Sequence, residues 1–143
     1  MIGNVHFLAG PGTSKTISTT GKLRFLTGNV TFANAGTSFQ IGIQDVLSTG
    51  LEDGTYDVSA TLTGGGGGLT SGSFISTTMT TGTKTLTHGD LIAVVFEMTA
   101  RGGTDSVQIA LATGTNGASA IPWTTKDTGA GPVKSSNRPA VVI

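Results

Sequence analysis

The chain has 143 residues, no cysteine, and eight acidic against eight basic side chains, for a formal net charge of zero. Charged residues make up 11% of it, which leaves no basic surface for nucleic acid and no polybasic face for anionic lipid, and the missing cysteines exclude a disulfide framework and a thiolate metal site. The length suits one domain able to bury a two-layer core, and 36% hydrophobic content combined with low charge is not the composition of a disordered chain.

The start, Met1-Ile-Gly-Asn-Val-His6, has no basic n-region and no long apolar stretch, and no apolar run approaches the ~20 residues of a membrane span. A chain with neither signal peptide nor membrane anchor is expected. Its polar surface must come from uncharged side chains. Threonine, with 26 copies, leads them, and a β-branched hydroxyl residue suits the wet face of a strand.

Turn signals recur at short spacing from Gly10-Pro-Gly12 to Asn116-Gly117, and the segments between them have strand length. Strands are predicted at 4–8, 14–19, 22–27, 29–33, 37–46, 55–63, 73–80, 83–87, 91–99, 105–112 and 139–143. No window of eleven residues keeps apolar spacing at three and four, so helices should be absent or one turn long. Near the start, Ala9-Gly-Pro-Gly-Thr-Ser-Lys-Thr16 looks like a phosphate-binding loop. Ala9 and Ser14 stand where its two glycines are needed, and no helix pattern follows, so an ordinary turn is the better reading.

Phe39, Ile41 and Ile43 fall at a period of two, as do Tyr56, Val58, Ala60 and Leu62, with Asp53-Gly54 between the two runs. This is the pattern of an antiparallel hairpin whose strands each bury one face. Glu52, Asp53 and Asp57 cluster at its turn and could offer oxygens to calcium, but they lack the alternating spacing of a calcium loop, and turn formation accounts for them. The five glycines of Gly64 to Gly68 make order costly, which predicts a mobile loop tip.

His88-Gly-Asp90 forms a turn ahead of Leu91-Ile-Ala-Val-Val-Phe96, a run apolar on both faces and therefore expected mid-sheet. His6 and His88 are the only histidines, and neither lies in a zinc pattern. Arg101-Gly-Gly-Thr104 is read as the turn of a second hairpin, leading into Val107, Ile109 and Leu111 on one face. The predicted core is Phe39, Ile41, Ile43, Val58, Leu62, Ile92, Val94, Phe96, Val107 and Ile109. A glycosidase would need two carboxyls at ~5–10 Å, a spacing that sequence does not reveal, and no Gly-x-Ser-x-Gly elbow supports a serine hydrolase. No catalytic residue and no cofactor are expected.

Beyond residue 113 the composition shifts to Gly, Ala, Ser, Thr and Pro, which predicts an extended arm. Trp123 follows Pro122 and could stack on a sugar ring, although anchoring the arm to the domain or to a neighbour is the plainer role. Val141-Val142-Ile143 ends the chain in an apolar β-like run. Either the chain continues, or this segment adds a strand to a neighbour. Trp123, Val141, Val142 and Ile143 are thus the candidate partner contacts.

Ser38-Phe-Gln-Ile-Gly-Ile-Gln-Asp-Val46 with Gly50-Leu-Glu-Asp-Gly-Thr55, then Gly89-Asp-Leu-Ile-Ala-Val-Val-Phe-Glu97 and Thr104-Asp-Ser-Val-Gln-Ile109, resembles β-sandwich modules of tailed-bacteriophage virion proteins, particularly tail-fibre and appendage chains. The resemblance covers roughly residues 1–112 and implies a non-catalytic, oligomeric, cysteine-free module. Long repeats and coiled coils of fibres are missing, which keeps a capsid decoration or capping protein open. The expectation is an all-β chain: an antiparallel, jelly-roll-like β-sandwich over 1–112, with an extended arm or the start of a further segment over 113–143. Its role would be structural, in a virion assembled in the host cytoplasm, with copies of itself and other virion proteins as partners. A carbohydrate-binding module that adheres to a host glycan is the alternative, and a small β-sandwich hydrolase using Asp53 or Asp57 is a third.

Overall fold

The computed structural model describes residues 2–6, 11–49, 52–112, 124–127, 132–135, 138–139 and 141–142. These residues contain strands and no helix: β1 (Ile2–His6), β2 (Ser14–Ile17), β3 (Lys22–Thr31), β4 (Ser38–Val46), β5 (Glu52–Thr63), β6 (Phe74–Thr78), β7 (Thr81–Gly82), β8 (Lys84–Thr87), β9 (Leu91–Ala100), β10 (Ser106–Ile109), β11 (Leu111–Ala112), β12 (Thr124–Asp127), β13 (Pro132–Ser135), β14 (Arg138–Pro139) and β15 (Val141–Val142). One antiparallel sheet of seven strands runs β13-β12-β1-β9-β4-β5-β7. A second is centred on β3, which pairs with β6 on one edge and with β10 and β15 on the other. β2 and β8 form a separate ribbon, as do β11 and β14.

The two main sheets share one core. Ile41, Ile43, Val58, Ala60, Ile92, Val94 and Phe96 from the first meet Leu23, Phe25 and Ile109 from the second, and the ribbon adds Ile17 and Leu86. The Phe25 and Phe96 rings touch edge to face, their centroids 5.2 Å apart, and Phe39 stacks on Phe96 at 6.5 Å. Edge-to-face and offset pairs of this kind add to the burial of the rings themselves. As expected, β9 lies mid-sheet between β1 and β4, with Ile92 to Phe96 all buried. Eight of the ten expected core residues are fully buried, while Leu62 and Val107 are partly buried against them.

Three expectations need correction. The β4–β5 hairpin exists, with Phe39 opposite Leu62 and Val46 opposite Glu52, so Asp53-Gly54 sits inside β5 and the chain has already reversed before it. Gly54 adopts φ +81°, and its amide donates to Gln44 Oε1, which fixes an irregularity within the strand. Gly28-Asn29 does not separate two strands either. β3 runs through it with a bulge that moves the inward set from Leu23, Phe25 and Thr27 to Val30 and Phe32. Third, β9 and β10 do not form a hairpin, because β10 pairs with β3 and the turn at 101–105 carries the chain from one sheet to the other.

That turn is held by Asp105. Its side chain is 3% exposed, and its carboxylate accepts the Thr37 hydroxyl at 2.7 Å, the Asn34 amide at 2.9 Å and the Ala33 amide at 3.2 Å. Thr37 is fully buried; it also accepts from the Gly102 amide, and its carbonyl takes the Gly64 amide. Three crossings between the sheets, at 32–37, 64–73 and 101–105, are thereby tied at one end. The glycine run, expected to be a loose tip, starts inside this knot. A Cβ on Gly64 would lie 2.2 Å from the Asn34 carbonyl oxygen, so only glycine lets the crossings approach. The Gly65 amide donates to the Phe32 carbonyl, and beyond the run Leu69 returns to the core.

The stretch read as an arm holds four short strands after residue 113. β12 lies on β1, β13 on β12, β14 on β11, and β15 on β3, all within the same chain.

Phe25→Ala should lower the unfolding free energy by about 3–5 kcal/mol, read from denaturant titration, because it opens a cavity where the sheets meet. A loss below about 1 kcal/mol is the result that rules out a shared core. Hydrogen bonds from Thr37, and then from Asn34 and Ala33, hold Asp105 below the ordinary carboxylate range. Its stabilisation is therefore complete above ~3.9 and is lost as pH falls through the lower, folded-state value. Asp105→Asn should unfold more easily at neutral pH and lose part of the acid dependence of the thermal midpoint. Parallel pH profiles for the two proteins would refute this role.

Candidate functional site

Of the expected partner contacts, Trp123 and Ile143 lie outside the described residues. Val141 and Val142 are placed by their backbone, opposite Phe25 and Arg24 of β3. The residues before Lys15 in the loop read against a phosphate-binding template lead into strand β2, where that motif requires a helix.

The acidic group around β5 is brought together, though not as a cation cage. Asp53 Oδ1 accepts the Thr55 amide at 2.9 Å in a local turn. Asp57 is the extra residue of a bulge, since Ile43 faces Val58 while Gln44 faces Tyr56. The bulge aims it at β8, where Lys84 Nζ lies 3.2 Å from its Oδ2 and also pairs with Asp45. Burial works against the charge on Lys84, but the hydrogen bond it donates to Asp45 and its ion pair with Asp57 outweigh it and hold the ammonium above its ordinary range. Among the described residues no three His, Asp or Glu side chains are grouped to hold a metal ion.

Other carboxylates are engaged in turns. Asp90 accepts the Thr87 amide at 2.7 Å and the Thr87 hydroxyl at 2.8 Å, closing the His88-Gly-Asp90 turn, and these bonds hold it below the usual range. Gly89 there has φ +89°.

On the outer face of the seven-stranded sheet, Tyr56 lies across Gly42, where a Cβ would come within 2.7 Å of its ring. Its hydroxyl donates to Glu97 at 3.2 Å. Burial raises the Tyr56 pKa, and the Glu97 charge raises it further, with a smaller contribution from Glu52. The phenol therefore stays protonated as the donor, beside the charges of Glu97 and Glu52.

The outer face of the second sheet is different in character. Lys22, Arg24 and Leu26 alternate with the buried Leu23, Phe25 and Thr27, and their direct partners on β6 are Thr78, Ser76 and Phe74. Phe74 is 61% exposed, and Lys22 and Arg24 are exposed beside it. An exposed phenyl ring on a cationic, hydroxyl-bearing sheet is the most distinctive surface among the described residues. Sequence reasoning passed over it, although Phe74 shares its phase with Ser76 and Thr78, which was a readable sign that it points outward.

Comparison with protein-family models, with curated proteins and with solved structures gives no match.

Tyr56 is the only tyrosine, so its ionisation can be followed directly by ultraviolet absorbance. The folded protein should titrate above the ordinary ~10, and Glu97→Gln should bring the midpoint down toward it. A folded-state midpoint equal to that in denaturant would show that neither burial nor Glu97 acts on the phenol.

Proposed function

We propose that this chain is a non-enzymatic structural module of a tailed-bacteriophage particle, a tail-fibre, appendage or capsid-decoration protein, acting by oligomeric assembly with copies of itself and with other virion proteins. The sheets would form a jelly-roll-like sandwich, with the stretch after residue 113 contributing to contacts through Trp123, Val141, Val142 and Ile143. The observation that carries this reading is the open face bearing Phe74, Lys22 and Arg24, which is a broad sheet surface with an apolar anchor. Aromatic rings and arginine are residue types enriched where proteins meet. The way carboxylates are used points the same way: Asp105 and Asp90 close turns, and Asp45 and Asp57 clasp Lys84. The resemblance of residues 38–55 and 89–109 to virion β-modules supplies the biological setting.

A host-glycan adhesion module remains the second reading, because an exposed ring beside Ser76 and Arg24 can stack on a pyranose and donate hydrogen bonds to its hydroxyls. Sedimentation velocity on the purified chain across a range of concentrations distinguishes the two. A trimer or larger assembly is expected; a monomer throughout, with glycan-array binding lost in Phe74→Ala or Trp123→Ala, would establish adhesion in place of assembly.

A further inference from the structure

Charged residues between positions 11 and 110 divide into those used within the fold and those left over. Lys84 is taken by Asp45 and Asp57, Asp90 by Thr87, and Asp105 by Thr37 and the neighbouring amides, while Arg101 Nε donates to the Asp105 carbonyl at 2.8 Å. The remainder are sorted by side. Lys22, Arg24 and Leu26 follow one another on the outer face of the second sheet, with Phe74 opposite Leu26. Glu97 holds the Tyr56 hydroxyl at the outer face of the first, and the charge of Glu52 also acts on that phenol. The hydrophobic core lies between these faces, so they look away from each other.

From this sorting, and resting on the assembly reading above, we infer that the Lys22–Arg24–Phe74 face of one copy docks onto the Glu52–Tyr56–Glu97 face of a second copy, giving a head-to-tail stack. A twofold-symmetric contact would set Lys22 and Arg24 against their own counterparts, and the acidic face would suffer the same repulsion. The complementary arrangement joins two different faces, so each added copy leaves the next face open. Phe74 supplies the apolar anchor, and the charges orient the encounter and exclude the reversed docking. Tyr56 fits the receiving side, since its partly buried ring offers an aromatic surface whose hydroxyl is already held by Glu97.

The test is sedimentation velocity on the full chain at about 0.05 M and about 0.5 M salt, a range over which surface charge pairs are increasingly screened. Assembly should weaken as salt rises. Phe74→Ser, an exposed substitution, should weaken it by roughly ten- to a hundredfold, and the Tyr56 titration confirms that this variant keeps its fold. The pair Lys22→Glu and Arg24→Glu should abolish assembly, and adding Glu52→Lys and Glu97→Lys to the same chain should restore it, because every interface is then complementary with reversed sign. Assembly of the wild type that ignores all these changes would overturn the docking while leaving the structural role intact. Assembly that strengthens on reversing the basic face alone would overturn it in favour of another pairing. A wild type that stays monomeric at every concentration removes both the docking and the structural role.

Discussion

A single buried carboxylate where three crossings meet sets how the two sheets connect. Asp105 accepts from a hydroxyl and two amides that belong to the β3–β4 crossing, while its own backbone belongs to the β9–β10 crossing. A carboxylate taken from water is costly unless its oxygens are hydrogen-bonded, and here they are. Remove that acceptor and Thr37, itself fully buried, loses the shortest hydrogen bond its hydroxyl makes. The glycine run follows from the same constraint. Gly64 must lie against the Asn34 carbonyl because Thr37 has drawn that turn inward.

Two bulges then decide what each outer surface presents. At Gly28-Asn29 the inward phase of β3 shifts by one residue, so that Leu23 and Phe25 face the core in one half of the strand and Val30 and Phe32 in the other. Without that shift, one half of the strand would turn its apolar residues to solvent. At Asp57 the extra residue frees a side chain from the alternation of β5 and sends it to Lys84. Of the charged side chains left over between positions 11 and 110, Lys22 and Arg24 stand on the outer side of one sheet and Glu97 on the outer side of the other.

Much of the sheet was legible in the residues. Alternation in Phe39 to Ile43 and Val58 to Leu62 gives a real antiparallel pair, and the unbroken run Ile92 to Phe96 gives the central strand, since only a strand covered on both faces can be apolar on both. What stayed hidden depends on partners distant in the chain. Gly102-Gly103 has the composition of a hairpin turn, yet Asp105 binds Thr37, 68 residues away, and so sends β10 to the other sheet. Gly28-Asn29 and Asp53-Gly54 are turn dipeptides that serve as irregularities inside strands, a distinction made by pairing and not by propensity. Thr27 and Thr77 are buried although threonine was assigned to the wet faces. Thr27 can be, because its hydroxyl bonds the carbonyls of Thr70 and Ser73. For the surface, the outward phase of Phe74 could be read, but the segregation of free acids from free bases needed the fold.

β4 runs from the Asp105 knot, beside Thr37, to the Lys84 clasp, at Asp45, a span of roughly 25 Å at the usual rise per residue. The two fastenings titrate in opposite senses. Acid protonates the carboxylate that ties the crossings, whereas alkali strips the proton from the ammonium that grips β4 and β5. Both ends of the slab stay shut while Asp105 is ionised and Lys84 is protonated, and leaving that range in either direction opens a different door.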